Sequence, residues 1–223
     1  MAKAKEKLSE KTKVHTQYYL SDGAKVPSVT TIIGVLNKPA LLHWAWQMGI
    51  DGKDYRTVRD EAADVGTLAH YLILCHLKGI EPNVSAYSLE NQKKAANSMA
   101  KFLDWESKHK LEPILLEEYL VSEVCRFGGT VDCYGMVDDE LILLDFKTSK
   151  AIYTDMFYQL AAYEHLLVEN GHTVKGAKIL RIGRSEEEGF EERSMRDLTN
   201  HWEVFLSCLN IYELTKQIKR DFK

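Results

Sequence analysis

A chain of 223 residues with 45% apolar and 28% charged residues has about the length of one large domain and the composition of an ordinary globular protein, which excludes disordered and fibrous classes. Its formal net charge of -4 supplies no global attraction for nucleic acid, so such a partner must be met by a local basic surface or by metal ions. No stretch approaches the roughly 20 apolar residues that span a bilayer, and the opening MAKAKEKLSEKTK is too charged for a signal peptide, so a cytoplasmic protein without membrane contact is expected.

The scattered Cys75, Cys125, Cys133 and Cys208 lack the close pairing of a zinc or redox site and read as reduced core residues. Local basic bias exists at both ends. Residues 1–13 hold five Lys against two Glu, and the last ten hold Lys216, Lys219, Arg220 and Lys223 against Asp221, which solvated tails explain equally well.

In chain order, a short extended piece at Tyr18 and Tyr19 closes at the turn-like Ser21-Asp22-Gly23. Pro27-Ser28 opens a helical pattern of Val29, Ile32, Ile33 and Leu36, which Asn37-Lys38-Pro39 breaks before Leu41, Leu42, Ala45 and Trp46 start another. Longer helices are predicted near 54–78 and 89–109, separated by Glu81-Pro82-Asn83. The second has a wet face carrying Lys93, Lys94, Lys101 and Lys108.

At Pro113 a period of two replaces the helical period and predicts strands over 114–123, 128–137 and 140–147, the last two joined by a tight Asp138-Asp139 hairpin. A helix is predicted from an N-cap at Thr154 to a stop at Gly171, then a strand over 177–184, a solvated hairpin tip over Glu186–Glu192 and a final helix over 199–221. The layout is α/β, a small mixed central sheet flanked by helices, in a single domain over 1–223. Residues 1–110 form a mainly helical part, 111–184 the core, and 185–223 the hairpin and last helix.

The apolar run Leu141-Ile142-Leu143-Leu144 reads as a strand covered on both faces, yet it ends in Asp145-Phe146-Lys147. Side chains alternate along a strand, so Asp145 and Lys147 share one side about 7 Å apart. Asp132, in Gly129-Thr130-Val131-Asp132, lies on the strand that the hairpin sets alongside. Adjacent carboxylates repel and need a cation to stay ionised together, and hard oxygen ligands suit Mg²⁺ or Mn²⁺ rather than zinc.

Upstream, Glu117 and Glu118 sit in an otherwise apolar strand, one of them facing inward, and alternation alone leaves the choice open. Gly66 in Gly66-Thr67-Leu68-Ala69-His70 costs about 1 kcal/mol relative to Ala in a helix and, one turn before His70, is expected to leave open space beside the imidazole. Gln159 and Tyr163, four residues apart, share a helix face.

In order, these motifs resemble the PD-(D/E)XK nuclease superfamily, in particular its RecB-like branch with the phage and mitochondrial-maintenance exonucleases. Gly66 to His70 reads as the G-x-x-x-H helix, Glu117 or Glu118 as the early acid, and Gly129 to Asp132 as G-x-x-D. Asp145-Phe146-Lys147-Thr148-Ser149 reads as D-x-K, and Gln159 to Tyr163 as Q-x-x-x-Y. Pro27 to Ile32 is also similar to the opening of phage-encoded members, so the resemblance covers about residues 26–170.

The resemblance implies a restriction-endonuclease-like core and hydrolysis of DNA phosphodiesters. One or two Mg²⁺ or Mn²⁺ ions would be held by Asp132, Asp145, the Phe146 carbonyl and His70. Lys147 would orient the attacking water and stabilise developing charge, supported by the upstream acid, for which relatives favour Glu117 because theirs lies five residues before a Ser such as Ser122. Gln159, Tyr163, Thr148, Ser149 and Lys150 would touch the DNA backbone or brace the site.

Relatives with an iron–sulfur cluster carry three close cysteines after Q-x-x-x-Y. Only Cys208 follows Tyr163 here, so no cluster is expected. An exonuclease of phage or bacterial recombination, repair or genome processing is the leading expectation, acting on single-stranded or duplex ends, with a homo-oligomer or a recombination protein as further partners. A structure-selective or restriction-type endonuclease and an inactive DNA-binding module on the same fold are the alternatives.

Overall fold

The structure is a computed structural model that describes residues 16–222; the lysine-rich 1–13 and Lys223 lie outside the described residues. A five-stranded mixed sheet forms the centre, in the order β3-β4-β5-β6-β7. Its strands are β3 (Leu111–Ser122), β4 (Phe127–Val137), β5 (Glu140–Lys147), β6 (Gly176–Ile182) and β7 (Phe190–Met195), after the small hairpin β1 (Tyr18–Tyr19) and β2 (Lys25–Val26). β3, β4 and β5 run antiparallel. The crossover helix α5 (Thr154–Glu169) then returns the chain so that β6 pairs parallel to β5, and β7 closes the edge antiparallel. This is the helix-flanked α/β arrangement that the alternation of periods predicts.

The apolar run of β5 is explained by cover on both faces. Leu143 joins Ile179 and Tyr134 beneath α5, α1 (Val29–Ile33) and α6 (Thr199–Asp221). Leu144 and Phe146 turn the other way, with Leu180, Ile182 and Cys133, toward Ile73 of α3 (Tyr55–Lys78) and Phe102 and Trp105 of α4 (Leu89–Glu106). A strand buried on both sides has no polar face to display, hence the loss of alternation. Cys75, Cys133 and Cys208 are buried thiols, while Cys125 is half-buried.

The Asp138-Asp139 link takes the left-handed conformation at both positions, φ 50° and 69°, as a two-residue turn matched to strand twist requires. Several boundaries differ from expectation for physical reasons. Pro39 starts α2 (Pro39–Ile50) rather than ending its predecessor, because a first-turn proline lacks only an N–H that the helix would leave unpaired. α1 already stops at Gly34, short of Leu36. The N-cap of α5 is Tyr153, with Thr154 as the first helical residue.

The largest correction is at Glu186–Glu192: Phe190–Met195 is a strand, and the tip occupies only 183–189. Its acids are consumed across the sheet, since Glu192 meets Lys178 at 2.7 Å and the Trp105 indole N–H at 2.8 Å, and Glu191 meets Arg181 at 3.2 Å. A charged edge strand that satisfies its charges sideways has the composition of a loop. The basic face of α4 is partly neutralised, with Lys94 on Glu90 at 2.5 Å and, just past the helix end, Lys108 on Asp104 at 2.7 Å, while Lys93 is exposed. Among the described residues, no helix is long and apolar enough to cross a membrane.

Candidate active site

The main-chain ladder between β4 and β5 runs from Val137↔Glu140 to Cys133↔Leu144 and stops there. One step further the strands part, and side chains replace main-chain bonds. The Phe146 N–H donates to Asp132 Oδ2 at 2.9 Å, leaving Asp132 Oδ1 at 3.5 Å from His70 Nδ1 of α3. On the other side of β4, Glu117 falls between the pairs Leu116↔Cys133 and Glu118↔Val131, hence opposite Asp132. Its backbone is left-handed, φ 52°, a conformation costing of the order of 1–3 kcal/mol in a non-glycine residue.

Glu117 is half-buried and Glu118 exposed. Among the described residues, His70, Glu117 and Asp132 form the group able to hold a metal ion, with one ligand atom from each within 4.8 Å of the others. Asp145 lies outside that group. It is 1% exposed, and its Oδ2 sits 2.5 Å from Lys147 Nζ, yet neither carboxylate oxygen receives a well-directed hydrogen bond. A buried carboxylate left this way is an open acceptor, and a second cation or a proton donor would complete it.

Protonation follows from burial and crowding. Burial raises the Asp145 carboxyl above its ordinary range, Lys147 offsets part of that, and Asp132 adds repulsion. Glu117 is raised by burial and then by Asp132. For Asp132 burial is outweighed by His70, with Lys147 and the Phe146 N–H adding to it, so the net direction is down. His70 and Lys147 both lose to burial and gain more from the acids, Asp132 for His70 and Asp145 first for Lys147, so both titrate higher than usual. With every group ionised, the three carboxylates outnumber the imidazolium and the ammonium by one charge, and a divalent ion that displaced the imidazole proton would make up that charge.

The remaining expected residues are placed as follows. Phe146 supplies the N–H already described, and its ring lies edge-on to His70, centroids 6.0 Å apart. Tyr163 is buried above Gly129, where an added Cβ would stand 2.6 Å from the Tyr163 ring. Its hydroxyl accepts the Gln159 amide N–H at 2.7 Å, and its ionisation is pushed well up by burial and then by Asp145 and Asp132.

Gly66 differs from expectation: the room of its missing Cβ is taken by Thr148, whose Oγ1 would be 2.9 Å from it. Gly66 therefore lets the β5–α5 turn approach α3, while the expected open space beside the imidazole is present as a cleft of about 470 Å³ lined by Gly66, His70, Glu117 and Tyr71. Ser149 closes that turn on the Ala151 carbonyl at 2.7 Å, and Lys150 is exposed beyond it.

Two neighbours were not anticipated. Tyr18 fills the space over Gly128 and hydrogen-bonds Thr130, two residues before Asp132, at 2.7 Å. Arg181 lies beside Lys147 across the parallel pair, 7% exposed, held by Glu191 and the Glu188 carbonyl. Its sequence signal was a charge inside the apolar Lys178-Ile179-Leu180-Arg181-Ile182.

No protein-family model matches the chain, and no curated protein matches it. Among solved structures it is similar to a proposed exonuclease from Eubacterium rectale, with 12% identity and a TM-score of 0.42 over 66% of this chain and 64% of that one, a little under two thirds of its length. It is also similar to the alkaline exonuclease LHK-Exo from Laribacter hongkongensis, with 15% identity and a TM-score of 0.32 over 73% of this chain and 92% of that one. The same enzyme in complex with dAMP gives a TM-score of 0.29.

Proposed function

We propose that this chain is a metal-dependent DNA nuclease in a single domain, of the exonuclease type suggested by its ordered motifs. The observation that carries the reading is the gathering of Glu117, Asp132, Asp145, His70 and Lys147 at the point where β4 and β5 part. The donor set of carboxylate oxygens and one imidazole, without sulfur, fits a hard divalent ion, and the nitrogen favours Mn²⁺ alongside Mg²⁺.

His70, Glu117 and Asp132 would hold the ion, with Asp145 as a further oxygen ligand. When bound, it would polarise the scissile phosphate and lower the pKa of the attacking water. Lys147, kept protonated by Asp145 and Asp132, faces the charge that grows on the phosphate oxygens during attack, a contribution that depends on its being fixed beforehand. The Phe146 N–H orients Asp132, and the Gln159–Tyr163 pair, wedged against Gly129, keeps the rear of the pocket rigid. Contacts of this kind read phosphates rather than bases, as end-wise degradation requires.

The test is incubation of end-labelled DNA with Mn²⁺ or Mg²⁺, beside a covalently closed circle that an exonuclease leaves intact. Parent protein should shorten the linear DNA, with Asp132→Asn and Lys147→Ala at least about 100-fold slower, the size of losing one oriented electrostatic contact. Cleavage by either variant at the parental rate would end the assignment.

A further inference from the structure

We propose a second DNA contact remote from the carboxylates: a basic trough between the β1–β2 hairpin, the β3–β4 turn and the last three turns of α6, which takes the phosphodiester backbone of the strand being processed. The inference rests on the reading of DNA as substrate. Two adjoining open clefts of about 580 and 600 Å³ share Lys25, Val26, Pro27, Lys216 and Arg220, so they form one continuous trough. Arg126 adds a fourth cation to the first cleft, and among the described residues the one acid lining either is Glu213, 3.5 Å from Lys216.

Four cations against one acid stand out in a chain whose net charge is -4. Lys25 and Arg220 have no ion-pair partner among the described residues. Among the described residues Arg126 meets only Asp22, at 3.7 Å, with both side chains more than half exposed, a contact worth little. Arg126 is also held left-handed, φ 57°, at a turn where Gly or Asn would relieve the strain. That strain is accounted for if the guanidinium is what the turn is there to present. A fork of donors matches phosphate oxygens, and clustered cations bind nucleic acid mainly by releasing its counterions.

The trough is fastened to the strand that carries Asp132. The Gly128 N–H donates to the Pro27 carbonyl at 3.0 Å, and Ser28 bridges to Gly128 in parallel. From Gly128 to Asp132 is four residues, about 13 Å of strand, and from Arg126 six residues, about 20 Å, at roughly 3.3 Å per residue. At about 3.4 Å per nucleotide step, a strand lying in both places has roughly four to six phosphates between them. Both distances exceed the screening length of about 8–10 Å at physiological salt, so the trough acts on binding of long strands and leaves chemistry on short ones alone.

The experiment measures binding of fluorescent dT30 in EDTA for the parent, for Lys25→Gln/Arg126→Gln/Arg220→Gln and for a control, Lys53→Gln/Lys93→Gln/Lys175→Gln, that removes the same charge outside the trough. All six positions are exposed, and thermal melting verifies the fold. Expected for the trough variant is a loss of at least tenfold at 100 mM salt, and a plot of log affinity against log salt shallower by about 2, from three contacts at roughly 0.7 each, with the control close to the parent. Equal binding by trough variant and parent overturns the proposal, as does an equal loss in the control. Cleavage with Mn²⁺ is read separately: a parent that binds dT30 through these residues but cuts nothing sinks the nuclease reading and leaves the trough standing.

Discussion

Replacing Lys147 by Met isolates the electrostatic strain of the pocket. Asp145 is 1% exposed, Lys147 is its only ion-pair partner among the described residues, and neither of its oxygens has a well-directed hydrogen bond. Deleting the ammonium leaves a buried carboxylate uncompensated, which costs about 3–5 kcal/mol when one partner of a buried pair is removed. For a chain of 223 residues at about 2–4 °C per kcal/mol, the melting temperature at pH 8 in EDTA falls by roughly 6–20 °C.

The sign of the pH dependence follows from the raised Asp145 carboxyl, which without Lys147 rises further. The folded state then holds the proton more tightly than the unfolded one, so stability is lost as pH climbs from the ordinary 3.8 through the folded value. The variant's deficit against the parent is therefore small below that window and full above it. Mn²⁺ at about 100 times its dissociation constant returns some 2.7 kcal/mol, because it binds the folded protein and not the unfolded chain. Asp145→Asn in the Lys147→Met background recovers more than half of the deficit. Circular-dichroism melts across pH measure all of this. A Lys147→Met protein that melts with the parent at pH 8, or a double variant no better than the single one, refutes the account of Asp145 as a strained buried charge.

Glu117→Gln weakens Mn²⁺ binding by at least tenfold in calorimetry, whereas Glu118→Gln, at an exposed position, binds as the parent does; equal losses would remove Glu117 from the ligand set. Mn²⁺ affinity rises with pH and binding releases protons, because Glu117 and His70, both titrating high in the metal-free protein, must lose theirs to coordinate. An affinity equal at pH 6 and pH 8 would contradict this. Gly128→Ala drives a Cβ to 2.3 Å from Tyr18 Cγ and 2.5 Å from its Cβ, atoms that cannot swing aside, and costs about 1–3 kcal/mol in urea unfolding. A variant as stable as the parent would mean that β1 is free to lift off β4.

What the chain order of residues determined by itself was periodicity and proximity along the strand. The switch of period near Pro113, the double-covered run of β5 and the two-aspartate turn are local consequences of burial and turn chemistry, and they led to a mixed sheet with Asp132 and Asp145 on adjacent strands. Tertiary structure decided what depends on distant partners. Phe190–Met195 became a strand because Lys178, Arg181 and Trp105 absorb its acids, which no window of sequence contains. Glu117 rather than Glu118 entered the pocket through a left-handed residue that breaks strand alternation. Asp145 turned to Lys147 while His70, from a helix more than 40 residues upstream of Glu117, closed on Asp132. Local propensity sets where strands and helices start. Which charges end up sharing a cavity is set by the packing of three layers, and there the cost of an unpaired buried charge selects the arrangement.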